Sequence, residues 1–474
     1  MIPMALRAAA CVLLASAGAA QAPRLDYADL ARAFVASHAL GEVPEAELAL
    51  EPVLERDYVA TTLGALELLY PRLFLGDRER VDELRQLAMA MCDLQSKWIE
   101  WTHAEGDGAR AALADLAALR KALKSAKAGP IGGSAPRELL AALGLKEVQL
   151  ATARRLAEAA LSGEAFGLRP RFGQAARIVF APTRRDFLQL TAFAGLADPP
   201  RRASFWHEGI ASWTEMWWGD IQVVCLEFPP VRAGADPLSG TAMDEREPTG
   251  LLQHVVQRAV ISLSWTCFGA MVDPAFELGL AEELVIEVYG ENNVRSGGSG
   301  RSSSTSAYAV FIPGGASAGG ALPPMSADSR WREGGGRDHF QKVLRDGLKA
   351  ARGARGEKPG AFQVATPDGR TKADVRAPFF GRHVQGKTLP PPEMLSDYME
   401  FFRAYRTCFV WWLREKAFGA ESGERFAKLL RRLADSGLSD EFEALVAEVY
   451  GTALSGPDGS QDSLEWRFLA WLAG

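Results

Sequence analysis

The chain has 474 residues, of which 48% are hydrophobic and 24% charged, a composition typical of a folded globular protein. This length allows two or three domains with large apolar cores. The formal net charge of −6 is small for the size, so a nucleic-acid-binding role has no electrostatic support.

The first twenty residues are typical of an export signal. Arg7 is followed by the apolar run AAACVLLASAGAA, in which Gly18 and Ala20 supply the small residues of a cleavage site. Cleavage near Ala20 would remove residues 1–20. Beyond them, no stretch reaches the roughly 20 apolar residues of a membrane span. The sequence predicts an exported protein, periplasmic or secreted, without a transmembrane segment.

Residues 25–165 are predicted to form an N-terminal helical domain. The segments VDELRQLAMAMCDLQSKWIEW and ARAALADLAALRKALKSAKAG carry apolar residues at three- and four-residue spacing. Gly106 and Gly108 lie between them and indicate a turn. The two segments should therefore form an antiparallel helical hairpin.

Residues 175–290 change character and predict a mixed domain. A short strand at 177–181 is followed by a helix that opens with the capping pair Thr183 and Asp186, and then by two extended runs that turn at Gly219-Asp220. A helix at 249–268 follows, and a second begins at Asp273-Pro274, where Asp is a good cap and Pro a good first helical residue.

The remainder divides into a loop region and a helical lobe. Residues 291–395 are rich in Gly, Ser and Pro and are predicted to be flexible, with 291–337 the most mobile part. Residues 396–474 carry four helical segments, three of them closed by a Gly. The fold class predicted for the whole chain is α+β.

Four cysteines lie beyond the signal, each among apolar neighbours and without a Cys-x-x-Cys partner. This setting favours buried thiols over the alternative of disulfides, and the spacing excludes a zinc ribbon. They are Cys92, Cys225, Cys267 and Cys408.

The helix at 249–268 has an apolar stripe and a separate face that carries His254, Gln257 and Arg258. His254 and Arg258 lie one turn apart, so their side chains project in the same direction. A lone His on an amphipathic helix is ordinarily a polar residue without special function, and this interpretation stands beside the one that follows.

The order of strand, helix, β-hairpin, His-bearing helix and then DPAFELGLAEEL resembles the peptidase-MA-like family, gluzincin metallopeptidases related to thermolysin. In that family the second helix opens with a pattern close to Pro-Trp-Leu-x-Glu-Gly-Leu-Ala-Glu, whose first Glu is the third zinc ligand. The resemblance covers about residues 175–290 and 396–474. It implies a gluzincin-like domain with a C-terminal helical lobe. The matching residues are Pro274, Gly279, Leu280, Ala281 and Glu282.

The departures from the family pattern affect the zinc ligands and the general base. A catalytic zinc of this class needs two His, one carboxylate and an open position for water. Here His254 stands at the first ligand, but Val255 replaces the general base and Arg258 the second His. Leu278 replaces the zinc-binding Glu. The sequence therefore predicts a degenerate site without metal, in which Arg258 and Glu282 form a charge pair.

Two further groups of residues are weaker candidates for a site. His207-Glu208 lacks a second His at the required spacing, and a metal role there is the weaker hypothesis. Trp213 and Trp217 alternate along a predicted strand, which indicates core packing or an aromatic platform beside the cleft.

The predicted function is that of a catalytically inactive, metallopeptidase-like protein that binds a peptide or protein segment through the former substrate cleft. The cleft residues of this prediction are His254, Arg258, Leu278, Glu282, Trp213 and Trp217. The alternative is an active hydrolase, peptidase or glycan-directed, that uses His207, Glu208 and His254 and retains zinc.

Overall fold

The structure is a computed structural model in which part of the chain is described. Residues 1–57, which include the predicted signal segment, and most of the region 182–247 lie outside the described residues. The described ranges are 58–76, 78–127, 139–163, 165–167, 169–170, 175–181, 213–218, 221–227, 248–268, 274–292, 335–353, 363–365, 372–374, 395–436, 442–454 and 463–473.

A five-stranded mixed sheet forms one layer, in the order β1-β2-β3-β5-β4. The β1–β2 and β4–β5 pairs are antiparallel, whereas β2–β3 and β3–β5 are parallel. The β4–β5 hairpin and the strand β3 were both predicted. The strands are β1 (Tyr58–Leu63), β2 (Leu66–Pro71), β3 (Ala176–Ala181), β4 (Trp213–Trp218) and β5 (Ile221–Glu227).

The hairpin of β1 and β2 corrects the prediction that residues 25–165 are helical. Its tight turn contains Gly64 at φ 60°, a conformation that Gly adopts without steric cost. The Gln95 side chain holds the turn, donating to Leu63 O at 2.9 Å and accepting from Ala65 N at 2.8 Å. Since β2 pairs with β3, one sheet crosses the predicted boundary between the first two domains.

Several helices pack against this sheet and others pack against those helices, which confirms the α+β class. The remaining strands, β6 (Gln363–Ala365) and β7 (Lys372–Asp374), form a two-stranded ribbon. The described helices are α1 (Arg78–Trp101), α2 (Asp107–Ser125), α3 (Leu139–Ala142), α4 (Glu147–Ser162), α5 (Pro248–Phe268), α6 (Pro274–Tyr289), α7 (Arg337–Gly353), α8 (Leu395–Glu415), α9 (Ser422–Asp435), α10 (Phe442–Tyr450) and α11 (Leu464–Ala473).

Several helical predictions are confirmed. The α1–α2 hairpin turns at Gly106, whose φ is 105°, and an ion pair of 2.6 Å between Arg120 and Asp93 links the two helices. The helices predicted at 249–268 and 274–290 correspond to α5 and α6, and the four C-terminal helices to α8–α11. Recognisable caps and apolar periodicity identified all of these.

The helix α7 corrects the prediction of a flexible region at 291–395. Phe340 and Leu344 are buried, and α7 packs against α8. Their spacing of four residues puts both on one face, which is enough to anchor a short amphipathic helix. Residues 293–334 lie outside the described residues.

The helix α5 lies between the sheet and other described helices. It contacts α6 and α1 on the helical side and β3 and β5 on the sheet side. Every described side chain from Leu252 to Phe268 is buried, including those on the polar face. The polar members of this buried set are Gln253, Gln257, Arg258, Ser262, Ser264 and Thr266.

Cysteines follow the prediction of buried thiols as far as they are described. Cys92, Cys267 and Cys408 are buried, whereas the side chain of Cys225 lies outside the described part. Burial raises the pKa of the Cys92 thiol to about 12, so this group is unreactive at neutral pH.

Candidate functional site

The positions that the metallopeptidase resemblance assigns to zinc chemistry lie on two packed helices, α5 and α6. Val255, Arg258 and Leu278 are buried, with exposed fractions of 1%, 0% and 2%. The other predicted site positions fall outside the described part. This holds for the side chains of His254, Trp213 and Trp217 and for the whole of His207 and Glu208.

The residues at these positions do not fit a zinc ion. Val255 and Leu278 have no donor atom, and the guanidinium of Arg258 is a permanent cation where a dication would lie. Within the described residues, no group of three or more His, Cys, Asp and Glu is placed to hold a metal. No step of chemistry is therefore assigned to zinc here.

Gln253, Gln257 and Ser264 of α5 are buried polar residues. Their spacing of four and seven positions places them along one side of the helix. The Gln257 amide oxygen and nitrogen have no hydrogen-bond partner in the described part of the chain, and neither has the Ser264 hydroxyl. An unsatisfied buried amide costs free energy, so this face is a candidate for contact with further polar groups.

Glu282 is the centre of a buried polar network, but its partner is not the predicted one. Its carboxylate accepts from Arg406 Nε at 2.7 Å and from Arg406 Nη2, and it accepts from the Thr407 hydroxyl at 2.9 Å. Arg403 Nε lies 3.9 Å away. Among the described residues these two arginines of α8, and not Arg258, form ion pairs with Glu282, so the predicted pairing is wrong.

The Gly-Leu-Ala-Glu match acquires a structural meaning from this network. A methyl group on Gly279 would lie 2.6 Å from the carbonyl oxygen of Arg406, so only Gly allows α6 and α8 to approach so closely. One turn later, Glu282 binds the side chain of the same arginine. The motif therefore describes how α6 joins α8, whatever its ancestry.

Replacing Gly279 by alanine should destabilise the fold by about 1–3 kcal/mol, because the added methyl forces two packed helices apart. The better helix propensity of alanine offsets this by up to about 1 kcal/mol. Chemical denaturation measures the difference. Gly76→Ala is the control, since an added methyl there meets nothing within 4 Å; equal midpoints for both variants would contradict the close-approach argument.

A second charged cluster begins at the next residue of α6, Glu283, whose side chain points about 100° around the helix from that of Glu282. Glu283 and Glu287 both contact Arg337 from α7 and Arg414 from α8. Burial raises the pKa of Glu283 to about 7 against the opposing effect of Arg337 and Arg414. Burial alone would raise the pKa of Glu287. The attraction of Arg414 and Arg337 is larger and holds this pKa below the ordinary value.

The arginines of α8 were missed by the sequence reasoning, although a signal was present. Arg403, Arg406 and Arg414 stand in FFRAYRTCFVWWLRE, an otherwise apolar and aromatic helix. An arginine in such a setting is buried and needs a carboxylate. The apolar run LGLAEELVIEVY offers the matching pair Glu282-Glu283 on α6.

Comparison of the chain with protein-family models, with curated proteins and with solved structures finds no match in any of the three. The metallopeptidase resemblance therefore stays a prediction. None of the described helices has the length and apolar character that crossing a membrane requires.

Proposed function

We propose that the protein is an exported, catalytically inactive relative of the gluzincin metallopeptidases that binds a peptide or protein segment in the former substrate cleft. The observation that carries the proposal is the burial of Val255, Arg258 and Leu278 on two packed helices at the positions of the general base and two zinc ligands. Aliphatic side chains neither take a proton from water nor bind zinc.

The sheet supports the binding role. Strand β4 is paired with β5 on one side and has no described strand on its other side. Strand β5 in turn contacts α5, so this edge of the sheet lies near the degenerate motif. An edge strand presents unpaired backbone N–H and C=O groups, which an extended peptide pairs with as an added strand.

The proposal predicts that the purified protein binds extended peptides on an array and does not cleave them. Proline scanning of β4 tests the mode of binding, with Glu215→Pro and Met216→Pro as a matched pair. Of two neighbouring residues in an edge strand, one directs its N–H towards β5 and the other away from it. Proline at the outward position should keep the fold and weaken peptide binding at least tenfold, on the order of the loss of one backbone hydrogen bond.

Two outcomes would overturn the proposal. The first is an absence of peptide binding above the background of an unrelated exported protein. The second is hydrolysis of casein that a zinc chelator abolishes, since this is the behaviour of the alternative hydrolase with His207, Glu208 and His254.

A further inference from the structure

The cluster of Glu283 and Glu287 joins α6, α7 and α8 at a partly buried point, where Glu283 itself is fully buried. Arg337, the first residue of α7, donates from Nε to Glu283 Oε1 at 2.8 Å and pairs with Glu287 through Nη2. Nη2 of Arg414, on α8, lies 2.8 Å from Glu287 Oε1 and 3.6 Å from Glu283 Oε1. Two carboxylates one turn apart on α6 thus share two guanidinium groups.

Glu283 uses its two oxygens unequally. All of its ion-pair contacts within the described residues go to Oε1, whereas Oε2 is buried and has no hydrogen-bond partner there. A buried carboxylate oxygen without a donor is the atom that a proton satisfies best. The side chain stays covered by α8 irrespective of Arg337, because Cys408 and Arg414 of α8 lie beside it.

Arg337 also lies two residues after a β-bridge that joins two distant segments of the chain. Asn292 and Gly335 form an antiparallel bridge, with Asn292 N donating to Gly335 O at 3.0 Å. Arg403 of α8 donates to Asn292 O at 2.7 Å. This bridge and the first turn of α7 bring together the two ends of the stretch 293–334. The Arg337 ion pairs fasten this point to α6, and the Arg403 hydrogen bond fastens it to α8.

We propose that Glu283 is a proton-operated latch: the charged carboxylate holds Arg337 and the first turn of α7 against α6, and a proton bound at Oε2 releases them. The proton comes from solvent and occupies a lone pair of Oε2, so no other bond forms or breaks. Neutral Glu283 leaves Glu287 as the one carboxylate for two guanidinium groups. The Arg337 contact then weakens while Arg414 keeps Glu287.

The sign of the pH dependence follows from reciprocity between proton and guanidinium. Arg337 lowers the pKa of Glu283 against the effect of burial, so a proton on Glu283 must weaken the binding of Arg337 by the same factor. The pKa of about 7 is that of Glu283 with Arg337 bound, so the latch weakens as the pH falls towards 7 and is weakest below it. The titratable and charged groups around Glu283 are Arg337 and Arg345 on α7, Cys408 and Arg414 on α8, Glu287 on α6 and, through Glu287, Lys97 on α1.

Hydrogen exchange followed by mass spectrometry tests the latch on the full chain. Protection of the amides at 335–341, corrected for the intrinsic pH dependence of exchange, should fall roughly tenfold between pH 8 and pH 6, as for the loss of one charge-assisted bond. In Glu283→Gln, which mimics the protonated form, protection should be low at both pH values. Protection that is equal at both pH values in the native chain, or greater at pH 6, would overturn the proposal.

The free energy of unfolding provides a second measurement, and it should change with pH in the opposite direction to the amide protection. In the unfolded chain Glu283 takes its ordinary pKa of 4.5, against about 7 when folded. Its contribution to stability is therefore fully present below pH 4.5 and is lost as the pH rises through 7. Relative to Glu283→Gln, the native chain should lose unfolding free energy with rising pH while its latch tightens. A general loosening of the fold would move both quantities together and would refute the latch.

Glu287→Gln keeps the test available if Glu283→Gln does not fold. The negative charge of Glu287 raises the pKa of Glu283, so removing it should shift the transition in protection to lower pH. An unchanged midpoint would contradict the assignment of the transition to Glu283. Glu448→Gln is the matched control, because Glu448 is paired with Arg432 on the surface and is remote in sequence from the cluster.

Discussion

Replacing Arg406 by alanine should destabilise the fold by about 3–5 kcal/mol, the typical loss when one partner of a buried ion pair is removed. The Arg406 and Glu282 side chains are 1% and 0% exposed, and Arg406 binds both carboxylate oxygens. In the variant, Thr407 and the more distant Arg403 are the described groups left to stabilise a fully buried carboxylate. Urea or guanidinium denaturation followed by circular dichroism measures the change.

Two further variants define what this loss means. Arg432→Ala breaks a surface ion pair with Glu448 and should leave the denaturation midpoint unchanged, because exposed pairs stabilise little. The double variant Arg406→Met with Glu282→Leu should recover much of the lost stability, since apolar side chains of similar size need no counter-charge. A double variant as unstable as Arg406→Ala would show that the loss comes from packing and not from the stranded charge.

The second large effect is a gain of zinc binding. Val255→Glu, Arg258→His and Leu278→Glu together should convert the α5–α6 pair into a zinc site, whereas the native pair has the wrong donor atoms. The physical reason is that the substitutions supply two His one turn apart on α5 and a carboxylate from the helix packed against it. Titration calorimetry should detect tight, near-stoichiometric binding by the triple variant.

The matched control for this experiment omits Leu278→Glu and so leaves the third ligand missing. This double variant should bind zinc far more weakly, because a structural or catalytic zinc needs at least three protein ligands. A triple variant that folds with native circular dichroism yet does not bind zinc would show that α5 and α6 were never arranged as a metal site.

Local signals allowed the helices of the candidate site to be predicted. Pro274 at the first helical position and Gly290 at φ 82° after the last mark both ends of α6 in the sequence. The alternation in β4 and the turn residues after it likewise specified the hairpin with β5. These features depend on residues a few positions apart, which a sequence shows directly.

Elements whose identity depends on distant partners were not predicted. The β1 sequence YVATTL does carry strand-favouring residues, but the Leu-rich β2, LELLYP, does not distinguish itself from helix, and it is fixed by pairing with β3, over 100 residues later. The ion pair of Glu282 is another example, because Arg406 is 124 positions away and no local pattern connects them. The predicted partner, Arg258, is nearer in sequence. Among the described residues, however, the ion pairs of Glu282 go to Arg403 and Arg406.

The zinc content of the native protein tests the central claim most directly. The full chain would be expressed in zinc-supplemented medium, purified without chelators or affinity metals, and analysed for metal by mass spectrometry. An active thermolysin-related protein treated identically supplies the reference. If Val255, Arg258 and Leu278 define a degenerate site, the native protein should contain far less than one zinc per chain. One tightly held zinc per chain would contradict the account and favour the alternative hydrolase.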